Sequence, residues 1–342
     1  MPDISVIIPV YNRGDLIRYT LESLRRASPG LAVETIVVDD GSTSPVAEDL
    51  ARLGYATDVK LIRQANQGLL FARLNGFATA TGRHTLFLDS DDLIAPEKLR
   101  KQIQAMESGD GVASYSDSAR CELKGDYESL LIAPDEPSRR TADLADFFIN
   151  IQPAPHSPVF RTDFLRTVVS QAFFPPSPLY NSVAEIWFYH NAAPRPGRVI
   201  HVPGPLTIVG AHAATRLTSH WERLAVASLG VMEAFARTVP ATPDRALVRR
   251  YVAEKAFRSW RRLPRDFSPT YQARLLALWS NLAGDSRSRE SLGGSSFQGV
   301  SRLIGPVATG RLFRRWQNRR YEAVRTLPDQ DLEALLGALP PP

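Results

Sequence analysis

Between residues 84 and 96 the chain reads HTLFLDSDDLIAP, and the apolar run Thr85–Leu88 ends abruptly in Asp89, Ser90, Asp91 and Asp92. Carboxylates so closely spaced raise one another's pKa and resist desolvation. At the mouth of a buried strand such a cluster reads as the seat of a cation. The plainer reading is the acidic entrance of a helix opened by Pro96, where the helix dipole favours acids. Two further polar groups close apolar runs in the same way. Pro9, Tyr11, Asn12 and Arg13 follow Ile4–Ile8, and Asp39 and Asp40 open the stretch DDGST after Val33–Val38. An aspartate pair before glycine and serine is also a common turn sequence, and a tyrosine such as Tyr11 also caps sheet edges.

The periodicities say what must hold these groups. Residues 3–10 alternate and then run apolar, as a strand covered on both faces does. A helical spacing of Leu16, Ile17, Leu21 and Leu24 follows, and then a second strand over Val33–Val38. A polar helical stretch after Ser42–Ser44, a third strand at Val59–Ile62, a helix over Leu69–Ala80 and a fourth strand at Thr85–Leu88 complete the series. Strand and helix alternate four times. That is the pattern of a Rossmann-like, mostly parallel α/β sheet flanked by helices, whose ligands bind beyond the carboxyl ends of the strands. The polar groups fall at the ends of the first, second and fourth strands, so three strand ends are expected to meet in one crevice. Past residue 115 the rhythm loosens into proline-rich loops such as FFPPSP at 173–178 and PRPG at 194–197. From about residue 218 helical patterns return, interrupted by a weak linker at 284–299.

Taken in order, VIIPVYNR, VVDDGST, NQGLLFARLNGFATATG and LDSDD resemble the nucleotide-binding half of family 2 glycosyltransferases, inverting enzymes of the GT-A fold. An isolated D-x-D is weak, but four pieces in this order are a specific signal. The resemblance is close over residues 4–115 and weaker to about 215. It implies a GT-A domain over 1–217, divided into a nucleotide-binding half (1–115) and an acceptor-side half (116–217), before a helical, basic region at 218–342. It also implies transfer of a sugar from a nucleotide-diphosphate sugar, most simply a UDP-sugar, to a hydroxyl of a glycan or lipid-linked acceptor in cell-surface polysaccharide assembly. Tyr11 would then stack on the base and Asp39 accept a uracil-type N–H. Pro9, Asn12, Arg13, Asp40, Arg73 and Asp89 would line the donor.

A departing diphosphate needs its charge neutralised, which calls for a divalent cation on oxygen ligands, Mn²⁺ or Mg²⁺. The resemblance gives Asp91 to ribose and metal and sets Asp92 most directly on the metal, with Asp89 beside them. His212, in IVGAHAATR, lies where some relatives place a residue near the metal or diphosphate, although a lone histidine is more often structural. The general base falls on Glu185 in AEIWFYHN, where the family usually has an aspartate in an E-D-W-x-x-W stretch. The bland reading of Glu185 is an ordinary acid on an amphipathic helix. A second departure is ARLNG at 72–76, which carries Leu74 where the family has asparagine and puts the hydrogen bonding of that loop in question.

Composition excludes little and frames the rest. The single cysteine, Cys121, permits no intrachain disulfide, and no apolar stretch approaches the length of a membrane span. The N-terminus reads as a strand and not as a signal peptide, so a cytoplasmic setting is expected. Residues 245–325 hold 18 lysines and arginines against 5 acids, a local charge of +13 in a chain whose total is +5. In GRLFRRWQNRRYEAVR a single helix would set Leu312, Phe313, Trp316 and Val324 on one face and Arg311, Arg314, Arg315 and Arg319 around it, which suits an anionic membrane surface. The alternative is a helix packed on the main domain with its arginines solvated. No nucleic-acid-binding motif accompanies the charge. Two rival functions share the acidic cluster: nucleotidyl transfer that makes sugar nucleotides, and a non-catalytic nucleotide-sugar-binding module. The first usually has a glycine-rich loop after the first strand, and VIIPVYNR has none.

Overall fold

In a computed structural model, which describes residues 1–212, 220–283 and 292–341, the first half of the chain runs as read. The elements are β1 (Ile4–Val10), α1 (Ile17–Ala27), β2 (Val33–Asp39), α2 (Val46–Arg52), β3 (Lys60–Arg63), α3 (Leu69–Ala78), β4 (His84–Phe87), β5 (Leu93–Ile94) and α4 (Lys98–Glu107). Then come β6 (Ala113–Glu122), β7 (Ala133–Pro134), a short α5 (Leu144–Asp146) continued by a π-turn through Ile151, β8 (Val159–Arg161), α6 (Thr162–Ser170), α7 (Ala184–Ala192) and β9 (Val199–Ala211). The C-terminal part is helical: α8 (Trp221–Thr238), α9 (Ala246–Arg262), α10 (Pro269–Leu282), α11 (Ser295–Ile304), α12 (Pro306–Gln317) and α13 (Asp329–Gly337).

One sheet holds all these strands, in the order β3-β2-β1-β4-β8-β6-β9-β5, with β7 on β6. Every residue of β1 is buried, as the two-sided apolar run requires. β1 pairs in parallel with β2 and β4, with Val10 opposite Asp39 and Ile7 opposite Phe87, so the three strands end at nearly one level. The parallel pattern stops at β4. β8 joins it antiparallel, and β9, which is parallel to β6, binds β5 antiparallel at its far end, Leu93 facing Ile208. That last pairing carries residues 210–212 back to the loop after β4.

An apolar core runs from Ile7, Phe77 and Phe87 under the sheet through Trp187 and Phe188 of α7 to Phe235, Phe257 and Trp279 of the C-terminal helices. The boundary expected at 217/218 falls outside the described residues, and the core is continuous on either side of it. The linker expected at 284–299 is described only from residue 292, and from Ser295 it is helix α11, whose Phe297 is buried. The single basic helix expected over 310–325 is also corrected. α12 stops at Gln317, where Asn318 turns out and its Nδ2 donates to the carbonyls of Arg261 and Leu263. Val324 and Arg319 are therefore not on the helix of Leu312. Arg314 is buried against Trp260 and donates to Gln272 Oε1 and the Pro264 carbonyl.

Candidate active site

The crevice beyond β1, β2 and β4 is built first from backbone. Asn12, at the end of β1, adopts a left-handed φ of 52°, which asparagine tolerates. Its amide donates to Ser42 Oγ, and its Oδ1 accepts from Thr43 N, stitching the β1 loop to the β2 loop. Tyr11 is left half exposed (51%) over the crevice, with Pro9 buried below it in β1. Arg13 sits in the same loop, its carbonyl accepting from the amides that start α1.

The two aspartates of DDGST diverge. Asp39 is buried, accepts from Ser42 N and Val46 N, and lies 3.3 Å from an Arg63 amine of its cross-strand neighbour. These use three of the roughly four lone-pair sites of a carboxylate. Asp40 takes three donors, Gln64 Nε2, Gln67 N and Gly68 N, and braces the loop before α3. Gly68 needs its lack of side chain: φ is +91°, and a Cβ would collide with Asn181. Asn181 in turn accepts from Leu70 N and donates to the Gln67 carbonyl. Support for the start of α3 thus comes from more than a hundred residues away, while Leu74 itself packs on the core.

The acidic cluster also splits. Asp89 is held by Arg73, whose guanidinium is 1% exposed, at 2.6 Å. On its other side Arg73 lies 3.6 Å from Glu185 Oε2, so one buried cation bridges two acids from distant parts of the chain. Burial alone would lower the Arg73 pKa, but Asp89 and Glu185 outweigh it and hold it above its ordinary value. Burial pushes the Glu185 carboxyl up, and Arg73 opposes that only in part. Glu185 reaches this point because the aromatics next to it anchor α7, Phe188 on Phe87 and Tyr189 on Phe148, each at 4.9 Å between ring centroids.

Asp91 faces the other way and meets His212 Nε2 at 2.7 Å. Its carboxyl is raised by burial first, then by Asp92 and Asp89, with His212 opposing. Asp92 does not join them. It is buried, one oxygen accepts from Gly210 N at 2.9 Å, and the other lies 3.0 Å from the fully buried His156. Asp92, expected most directly on a metal, thus has each oxygen beside a partner, the Gly210 amide of β9 and His156 behind it. Among the described residues no three acidic, histidine or cysteine side chains converge as a metal cage. The donor set, Asp91 with His212 beside Asp89, suits a hard dication that takes one or two protein ligands and fills its shell with phosphate oxygens and water.

The family profile described as glycosyl transferase family 2 matches residues 5–162. Those residues, a little under half of the chain, resemble glycosyltransferase family 2. An uncharacterized glycosyltransferase of Rickettsia conorii is 34% identical over 126 residues, 36% of this chain and 20% of that protein. One of Haemophilus influenzae is 37% identical over 133 residues, 38% of this chain and 53% of that protein. The chain thus spans about a fifth to a half of the length of these curated relatives. Among solved structures, Staphylococcus aureus TarS 1-349 in complex with UDP-GlcNAc matches with a TM-score of 0.66 at 18% identity, covering 95% of this chain and 93% of that one. The mannosyltransferase PcManGT of Pyrobaculum calidifontis, in complex with GDP-Man and Mn²⁺, matches with a TM-score of 0.54 at 15% identity. At such identities the likeness is one of fold, and it extends through the C-terminal helices.

Around the crevice, sequence reasoning missed the supports. Arg63 had a signal, since it ends a strand beside Asp39. His156, Asn181 and Gly210 had none, because only the folded chain brings them to the acidic loop. Gly210 has the clearest reason: a Cβ there would lie 2.0 Å from the Asp91 carbonyl.

Proposed function

We propose that the protein is a metal-dependent, inverting glycosyltransferase that moves a sugar from a nucleotide-diphosphate sugar, most simply a UDP-sugar, to a hydroxyl of a glycan or lipid-linked acceptor. The observation that carries this reading is the bridge Asp89–Arg73–Glu185, which sets an acid from α7 at the same point as the acidic end of β4. The structural likeness to a UDP-GlcNAc complex and a GDP-Man complex supports it.

In this reading the exposed Tyr11 stacks on the base, an interaction worth about 1–3 kcal/mol and tolerant of base identity. Asp39 uses its remaining lone pair on a uracil N–H, and Asp40 keeps the loop before α3 in place. Asp91 and His212 would hold Mn²⁺ or Mg²⁺, which when bound would supply charge neutralisation for the diphosphate. Glu185 takes the proton of the acceptor hydroxyl as its oxygen attacks the anomeric carbon from the side opposite the diphosphate. The bond from that carbon to the diphosphate oxygen breaks and its electron pair leaves with the diphosphate. Arg73 orients Asp89 and tempers the basicity of Glu185.

Glu185→Gln tests the assignment. Turnover, measured by UDP release, falls by about 10²–10⁴-fold, while calorimetric binding of UDP with Mn²⁺ is retained. A nucleotide-sugar-binding module would show no turnover in either protein, and a Glu185→Gln variant as fast as the parent would end the assignment of Glu185 as the base. The acceptor-side proposal extends to a membrane surface. No described helix is long and apolar enough to cross a membrane. The end of α11 and one face of α12 do, however, expose Leu303, Ile304, Leu312 and Trp316 beside Arg302, Arg311 and Arg315.

A further inference from the structure

On the other side of α7 from the crevice lies a cavity of about 480 Å³, enclosed by α7, α8, α9 and α10 and the chain at Val324. That size falls in the range of small-molecule sites. One wall is apolar, from Ile186, Trp221, Leu224, Met232 and Leu263. The other is polar, from Gln152, His190, Ser228, Lys255, Ser259 and Arg262. Ile186 and His190 follow Glu185 by one and five positions, so at about 100° per residue they turn away from the crevice.

Three groups of the polar wall lack a full complement among the described residues. Lys255 is half buried, and its Nζ donates to Gln152 Oε1 at 2.6 Å, a neutral acceptor. Burial, and the neighbouring Arg258 and Arg262, lower its pKa to about 8. Arg262, exposed at the rim, forms no ion pair among the described residues. His190 is 1% exposed, and its Nδ1 lies 2.9 Å from the Ile186 carbonyl, which places the proton there and leaves Nε2 a buried acceptor with no hydrogen-bond partner. Burial lowers the His190 pKa to about 4, so the ring is neutral and offers Lys255 no counter-charge. The other groups packed around Lys255 do not supply one either. Tyr271 of α10 is held protonated by burial, α8 contributes Ser228 and Met232, and Glu254 on α9 lies within ion-pair distance of Arg250 and Arg258.

We infer that this cavity is a second binding site, for a small amphipathic anion whose apolar body lies along Trp221, Leu224 and Met232 and whose charge meets Lys255 and Arg262. Charge complementarity decides the class: two cations without a carboxylate partner among the described residues stand beside an apolar slot of ligand size. The site does not depend on the transferase reading.

Decyl sulfate, whose charge does not titrate, is the probe, with decanol and decyltrimethylammonium as neutral and cationic counterparts. Calorimetry and the fluorescence of the lining Trp221 follow binding below the micellar range. Decyl sulfate binds one to one, at least about tenfold more tightly than either counterpart. Lys255→Met and the exposed Arg262→Gln each weaken it about tenfold and leave decanol unchanged, and Ser228→Trp fills the slot and removes both. Because Lys255 is charged only below its pKa and an anion raises that pKa, affinity is highest below about pH 8 and falls about tenfold above it. Equal binding of the three probes, binding that survives Ser228→Trp, or a pH-independent affinity would overturn the inference. Arg262→Gln guards against a Lys255→Met variant that does not fold. UDP affinity measured alongside separates failure here from failure of the transferase proposal.

Discussion

Arg73 is the residue on which the candidate chemistry converges, and its guanidinium explains why two acids tolerate each other's neighbourhood. A fork of donors can serve Asp89 and Glu185 at once, which a point-charged ammonium cannot. Because Arg73 lowers the Glu185 pKa that burial has raised, its removal leaves the base protonated to a higher pH. In Arg73→Met the acid limb of kcat therefore moves to higher pH, and kcat falls by about 10²-fold from lost positioning. Arg73→Lys keeps the charge and holds the limb close to that of the parent. A pH–rate profile measures both, and an unmoved limb in Arg73→Met would separate Arg73 from the base. Glu185, proposed here as the base, lies beside Arg73 with a side chain one methylene longer than the aspartate of the family it resembles.

At the level of elements, the acidic loop after β4 is shaped by what lies across from it as much as by its own charges. β9 returns antiparallel to β5, and Gly210 permits the approach while its amide takes Asp92 out of the crevice. Gly210→Ala forces a methyl against the Asp91 carbonyl, and such overpacking costs about 1–3 kcal/mol. Thermal unfolding should show a lowered Tm, and calorimetry a loss of Mn²⁺-dependent UDP binding larger than the stability loss explains. An unchanged Tm would mean that β9 yields without cost. The same logic makes Asn181 the partner of the loop before α3.

Across the whole molecule, charge and apolar exposure separate. The strand ends are acidic, and the helices beyond residue 245 are basic. Only part of the basic stretch faces solvent, because Arg314 is spent on Trp260 and Gln272, whereas Arg311, Arg315, Leu312 and Trp316 remain outside. If this face meets an anionic membrane, each nearby cation adds about 1 kcal/mol, so Arg311→Gln with Arg315→Gln reduces partition onto phosphatidylglycerol vesicles by about 30-fold. Flotation with phosphatidylglycerol and with phosphatidylcholine vesicles checks this, and equal flotation with both would remove the electrostatic part of the proposal.

The sequence by itself determined the parallel half of the sheet, the three polar strand ends and their meeting in one crevice, because two-sided apolar runs and turn chemistry are local signals. It also placed Tyr11, Asp89 and Asp91 there, since each lies in the loop that follows a strand, whereas Arg73, inside α3, was placed only by the family resemblance. Only the tertiary structure decided that Asp92 turns inward, that Glu185 shares Arg73 with Asp89, that α12 ends before Val324, and that a charged slot lies behind α7. Each of those depends on pairing between segments far apart in the chain, where the partner that wins is set by burial, backbone hydrogen bonding and close packing, none of which is written in any short stretch of residues.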